Sequence, residues 1–101
     1  MLQSKHPNIL EEFRRLAKEP GGCVETEHAK RRMLERDISH QEIIEALSNC
    51  FRDAKRDRFD PEHGSWSYAV YGWTDDYRKL RIVAAVQNMI LVITVMELME
   101  T

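Results

Sequence analysis

Apolar residues recur at helical spacing in the first half of the chain and at alternating or continuous positions in the second. Leu10, Phe13, Leu16 and Ala17 fall on one side of a helix. Asn8 stands where an N-cap would, with Glu11 three positions on, and Pro20-Gly21-Gly22 breaks the run. The spacing therefore predicts a helix over 8–18. Cys23-Val24-Glu25-Thr26 reads either as a short strand or as an extended lead into the next helix, which Thr26 can cap. Asp37-Ile38-Ser39 interrupts that helix. Ser39-His40-Gln41-Glu42 then fits an S/T-x-x-E capping box, with Ile38 as a hydrophobic staple and Ile43, Ile44 and Leu47 as the apolar side. Residues 27–48 thus read as two short helices joined by a tight corner.

From Cys50 onward the pattern changes to strands. Phe51 to Phe59 is charged with few apolar residues, as at a sheet edge, and Asp60 to Gly64, including His63, forms a turn. Ser65 to Trp73 is aromatic and β-branched, and Leu80 to Val86 has the character of a buried strand. Gln87-Asn88 supplies a two-residue turn, after which Met89 to Glu97 folds back as the second arm of a hairpin. The expected fold is α+β in one domain, 1–101: N-terminal helices packed on one face of a mainly antiparallel sheet of three or four strands, the β-meander occupying 50–97.

Composition narrows the class. The chain has 101 residues, enough for one domain, and its 43% apolar and 32% charged content excludes disorder. Its longest apolar run, Met89 to Met96, is far short of the roughly 20 residues that a membrane-crossing helix needs. The first residues lack the pattern of a secretory signal, so a cytoplasmic location is expected. Cys23 and Cys50 have no companions at metal or disulfide spacing and read as buried small hydrophobes. With a net charge of -2, nucleic acid cannot be held by the overall field, and any such site must be a local patch.

One patch stands out. His28, Arg32 and Arg36 are spaced four apart and spread over only about 80° of a helix, beside Ala29 and Met33. Lys30, Arg31, Arg32 and Arg36 oppose the single Glu35 in a chain that is acidic overall. Guanidinium forks match phosphate oxygens, and an imidazole can move a proton near neutral pH. The stripe also reads as an ordinary solvated basic side. A second run, Arg52, Lys55, Arg56 and Arg58, alternates with Asp53 and Asp57 and fits the charged edge of a sheet. Arg78, Lys79 and Arg81 border the next-to-last strand, where Arg81 points away from Leu80 and Ile82. Trp66, Tyr68, Tyr71 and Trp73 read first as packing, although an exposed ring beside arginines could stack on an unpaired base. His40 and His63 read as solvated. Neither a phosphate-binding glycine loop, a nucleophile elbow nor a metal-ligand set is present, and no cofactor or metal is expected.

The run His28-Ala29-x-x-Arg32-Met33-x-x-Arg36-x-Ile38-Ser39, together with the ending Leu91-Val92-Ile93-Thr94-Val95, resembles the signature of the domain of unknown function 4258 family. That family often has glycine where this chain has Asp37. The resemblance, over about residues 23 to 96, implies a RelE/barnase/EndoU-like fold presenting a metal-independent ribonuclease site, with an element order similar to the MqsR type of messenger-RNA interferase. It also implies a toxin of a toxin–antitoxin pair, whose partners would be RNA, including ribosome-associated messenger RNA, and a cognate antitoxin. The expected reaction is attack of a ribose 2′-hydroxyl on its own 3′-phosphate. The expected catalytic residues are His28 for proton transfer and Arg32, Arg36 and Arg81 for phosphate. Arg31, Lys55, Arg56, Tyr68 and Arg78 are the expected RNA-binding residues. The alternative is an inactive relative that binds protein or nucleic acid. A DNA-binding regulator built on the helix pair is a third reading, but the second helix is acidic where a recognition helix should be basic.

Overall fold

The computed structural model describes residues 4–62 and 64–99, and His63 lies outside them; its three helices all fall in the first half of the chain. Helix α1 (Ile9–Ala17) buries Ile9, Phe13, Leu16 and Ala17 on one side. Asn8 occupies the N-cap but makes no side-chain cap bond, so the box with Glu11 does not form. The chain then turns through Gly21 at φ 70° into β1 (Cys23–Glu25), which settles the open choice in favour of a strand.

Helix α2 (Glu27–Arg36) begins at Thr26, whose hydroxyl accepts from the Ala29 amide at 3.1 Å. It ends at Asp37, which sits at φ 53°, the left-handed region that favours glycine. A glycine would meet this backbone without strain, and this chain places one of the side chains that best tolerate the region there. Ser39 opens α3 (His40–Ser48) with a complete capping box: the Glu42 amide donates to Ser39 Oγ at 3.1 Å and the Ser39 amide to Glu42 Oε1 at 3.0 Å. Ile38 is buried at the corner.

The sheet has six strands rather than three or four. After α3 come β2 (Phe51–Arg52), a 3-10 turn (Ala54–Arg56), β3 (Arg58–Asp60), β4 (Ser65–Trp73), β5 (Lys79–Val86) and β6 (Ile90–Glu97). The order is β1-β6-β5-β4-β2, with β3 also on β4, and all pairs are antiparallel except β1 with β6. Segment 51–60 divides because Asp57, its side chain 1% exposed, folds inward. Asp57 accepts from the Ala69 amide at 3.0 Å and holds Arg52 at 2.6 Å and Lys5 at 3.1 Å. The connection from β5 to β6 takes three residues, not two, since Val86 pairs with Ile90 and the Gln87 amide donates to the Met89 carbonyl.

Alternation along β4 and β5 gives the sheet two unlike faces. Tyr68, Val70, Leu80, Ile82 and Ala84 are buried in one cluster with Phe13 and Leu16 of α1 and Ile43 and Leu47 of α3. The opposite parity, Tyr71, Trp73, Lys79, Arg81, Val83 and Ala85, is only partly buried. A register shift between Val83 and Ala84 lets Val92 and Val95, three apart on β6, both join the core. Cys23 and Cys50 are free and buried, and burial pushes their thiols up to about 12 and about 11, so both stay protonated. Among the described residues no helix is long and apolar enough to cross a membrane.

Helix α3 lies so close on β4 that a Cβ added at Gly72 would stand 2.1 Å from the Ala46 carbonyl oxygen. Backbone cannot yield there as a side-chain tip could. Gly72→Ala should therefore lower unfolding stability by about 2–4 kcal/mol in urea titrations, with the slope unchanged.

Candidate functional site

The partly buried sheet face carries a cluster of three aromatic rings. Phe51 stacks on Tyr71 with centroids 5.6 Å apart, and Trp73 meets both edge-on, at 5.9 Å from Phe51 and 5.8 Å from Tyr71. Strand pairing brings these rings together, since Phe51 is opposite Tyr71 across β2 and β4. Phe51 remains 47% exposed. Lys79, opposite Trp73 on β5, places its ammonium 4.9 Å from the Tyr71 centroid and 5.4 Å from that of Trp73. Such a cation is held by the ring quadrupoles without being neutralised.

Arg81 follows on the same face, opposite Tyr71. Its Nε donates to Asp53 Oδ2 at 3.2 Å, and Asp53 also holds Arg56 Nε at 3.3 Å. Arg81 thus has the anionic partner that a half-buried guanidinium requires, although the face is not covered by a helix. Lys55 lies exposed on the same short turn as Arg56. The rings of β2 and β4 therefore adjoin the cations of β5. Such a surface can offer stacking planes and phosphate contacts within a few ångströms of each other.

The residues expected on α2 are divided by the fold. Met33 and Leu34 line the cleft toward α3, which at 100° per residue turns His28 and Arg32 to the other flank. His28 is exposed and makes no hydrogen bond among the described residues, and Arg31 is likewise exposed and unpaired. Arg32 pairs with Glu35 at 2.8 Å. Arg36 reaches back to the sheet and donates to the Val95 carbonyl at 3.2 Å, closing part of the outer edge of β6. Four partners hold Arg78: Glu42 at 2.8 Å, Glu97 at 2.9 Å, and the carbonyls of Asp37 and Arg36 at 2.8 and 3.1 Å. Its hydrogen bond with Glu97 outweighs burial and raises its pKa further. Tyr68 is 5% exposed, edge-on to Phe13, with its hydroxyl accepting from the His6 amide at 2.8 Å. No face of that ring is open to a base.

Residues 26–97 match the family described as Domain of unknown function (DUF4258). The chain belongs to this family. No curated protein and no solved structure matches it. The matched span starts at the cap of α2 and ends with β6, so it takes in the helix pair and the aromatic face and leaves out α1 and β1.

Tyr71 and Trp73 read from the sequence as packing, and Phe51, Lys79 and Asp53 do not stand out there as site residues. The two-residue period that links Tyr71 to Trp73 along β4 and Lys79 to Arg81 along β5 is the available signal, and none marks Phe51 or Asp53. His40 is not merely solvated: its Nδ1 lies 2.7 Å from Glu25 Oε2, tying α3 to β1. Among the described residues no group of three potential metal ligands comes together.

Burial pushes the Glu42 carboxyl up, but the Ser39 amide and the Arg78 guanidinium outweigh it and hold the group below its ordinary value. A carboxyl lowered on folding stabilises the fold above its unfolded pKa, about 4.3, and that contribution is lost as pH falls through the folded value. Arg78→Leu should cost about 1–3 kcal/mol at neutral pH, because two carboxylates and two carbonyls lose their donor. Urea titrations across the acid range should show the variant losing less stability than the wild type below a pH of about 4.3.

Proposed function

We propose that this protein is a metal-independent RNA endonuclease of the toxin type, holding single-stranded RNA on the uncovered sheet face. The observation that carries the reading is the Phe51–Tyr71–Trp73 cluster flanked by Lys79 on one side and by Arg81, Asp53 and Arg56 on the other. Every base has a ring face to stack, so such a platform accepts RNA without a fixed sequence, and neighbouring cations take the phosphates. The chemistry comes with what the resemblance of the His28-to-Ser39 run to the domain of unknown function 4258 family implies, a ribonuclease fold of the RelE/barnase/EndoU type. Its reaction needs a group to take the 2′-proton and cations to meet the charge that develops on phosphorus.

In this reading Arg81 and Arg56 exchange Asp53 for phosphate, Arg31 and Arg32 take the flanking backbone, and His28 moves the proton. Arg36 and Arg78 hold α2 in place through carbonyl and carboxylate partners, and Tyr68 packs the core; none of these three touches RNA. The enzyme acts in the cytoplasm on messenger RNA and is restrained by a cognate antitoxin.

A second reading, a binding module without catalysis, is favoured by one observation: Arg32, Arg56 and Arg81 each already hold a carboxylate. Purified protein incubated with end-labelled single-stranded RNA in EDTA separates the two. The ribonuclease should leave cyclic phosphate ends and spare a strand carrying a 2′-deoxyribose at the cleavage position. His28→Ala should lower kcat by about 10²- to 10⁴-fold. Trp73→Ala should weaken binding by about 1–3 kcal/mol. RNA bound in a Trp73-dependent way but left whole would establish the binding module. RNA neither bound nor cut would sink the ribonuclease and leave the binding module with a protein as its partner.

A further inference from the structure

Beyond the ring cluster the sheet face runs into a cleft of about 700 Å³ lined by Asn49, Phe51, Trp73, Thr74, Asp75 and Tyr77. Tyr77 is 88% exposed and holds φ at 65°, a backbone state that a tyrosine adopts only at a cost. Three hydrogen bonds close the turn around it. The Thr74 amide donates to the Arg78 carbonyl at 2.9 Å, the Tyr77 amide to the Thr74 carbonyl at 2.9 Å, and the Arg78 amide to the Thr74 hydroxyl at 3.0 Å, with Thr74 itself buried. A strained turn thus keeps a large aromatic side chain pointed into water. Among the described residues Tyr77 makes no ring contact with Phe51 or Trp73, although all three line the same cleft, so the space between them is open.

The rim of this cleft is acidic. Asp75 lines it, and Asp75 also lines a second cleft, of about 620 Å³, that continues past Glu45 and Asp76 to Leu34, which is 84% exposed. Leu34 on the second cleft and Tyr77 on the first are large and almost fully solvated. Arg78, the guanidinium at this end, is already taken by Glu42 and Glu97. The Asn49 side chain is spent on the Trp73 backbone and the Glu45 carbonyl, so it cannot read a base edge. A phosphate chain entering here would meet Asp75, Asp76 and Glu45, whereas aromatic faces beside carboxylates suit a cation.

We propose that this groove docks a basic polypeptide segment of a partner protein, seating an arginine or lysine on Tyr77 against Asp75 and Asp76 and an apolar side chain on Leu34. The surface is separate from the Arg81–Arg56 cations, and the proposal does not rest on the ribonuclease reading. One end of the molecule thereby takes a cationic protein while the other parts of the same sheet face keep their positive charge.

A fluorescein-labelled peptide alternating arginine and leucine, titrated into the full chain and followed by anisotropy, tests it, with a glutamate-for-arginine peptide and a single-stranded RNA as competitors. Tyr77 and Asp75 are both exposed, so their substitution leaves the core intact. The basic peptide should bind, and Tyr77→Ala and the pair Asp75→Asn, Asp76→Asn should each weaken it by about tenfold, while Tyr77→Phe keeps it. Absence of binding, equal binding by these variants, or equal binding of the glutamate peptide would overturn the proposal. RNA that displaces the peptide and itself depends on Tyr77 would assign the groove to nucleic acid. Self-association of the free chain that Tyr77→Ala abolishes would assign it to a second copy.

Discussion

One guanidinium holds the corner on which the arrangement of this molecule depends. Arg78, at the entry to β5, gathers the last carbonyls of α2, the capping glutamate of α3 and the carboxylate at the end of β6. A planar five-donor fork can serve four such partners at once, which an ammonium cannot. The direction of α2 along the edge of the sheet follows from that junction, as does the flank on which His28 and Arg32 emerge. Arg36 adds a second tie from α2 to β6. Two of the arginines in the basic segments are therefore architecture, and the cations available to a ligand lie elsewhere.

The second constraint is the two-sidedness of the sheet. Three helices and about 100 residues supply enough apolar surface to cover one face, and α1 and α3 close over Val70, Leu80 and Ile82. The other face is left with rings and cations that shield one another: Lys79 over Tyr71 and Trp73, Arg81 against Asp53 and the Met96 sulfur. This arrangement keeps the face wettable while leaving Phe51, Met96, Met89 and Val24 substantially exposed. The cations of this face, Lys79, Arg81 and Arg56, lie beside the rings, while Glu45, Asp75 and Asp76 line the clefts past Trp73.

Much of this was legible from local patterns. The capping signals at Thr26 and Ser39, the staple at Ile38 and the buried run of β5 each arise from neighbours in sequence, and each formed as its residues dictate. What depended on distant partners was not legible. Three residues at 23–25 become a strand only because β6 offers a parallel edge, and the segment 51–60 splits only because Asp57 finds the Ala69 amide. For the same reason Tyr68 and Trp73, similar in sequence context, ended on opposite faces of one strand, five residues apart, and Arg78 turned out to be a junction. The periodicity that separates them was present in the chain, but the side left uncovered is decided by which face the helices choose.

The uncovered sheet face is proposed to receive RNA. Backbone amide shifts of the labelled protein, recorded while a short single-stranded RNA is added, put this to the test. The account predicts that the signals that move belong to Phe51, Asp53, Tyr71, Trp73, Lys79 and Arg81, and to His28 and Arg32 on the flank of α2. Shifts confined to α1 and α3, or no shifts at RNA concentrations well above those of the protein, would contradict it.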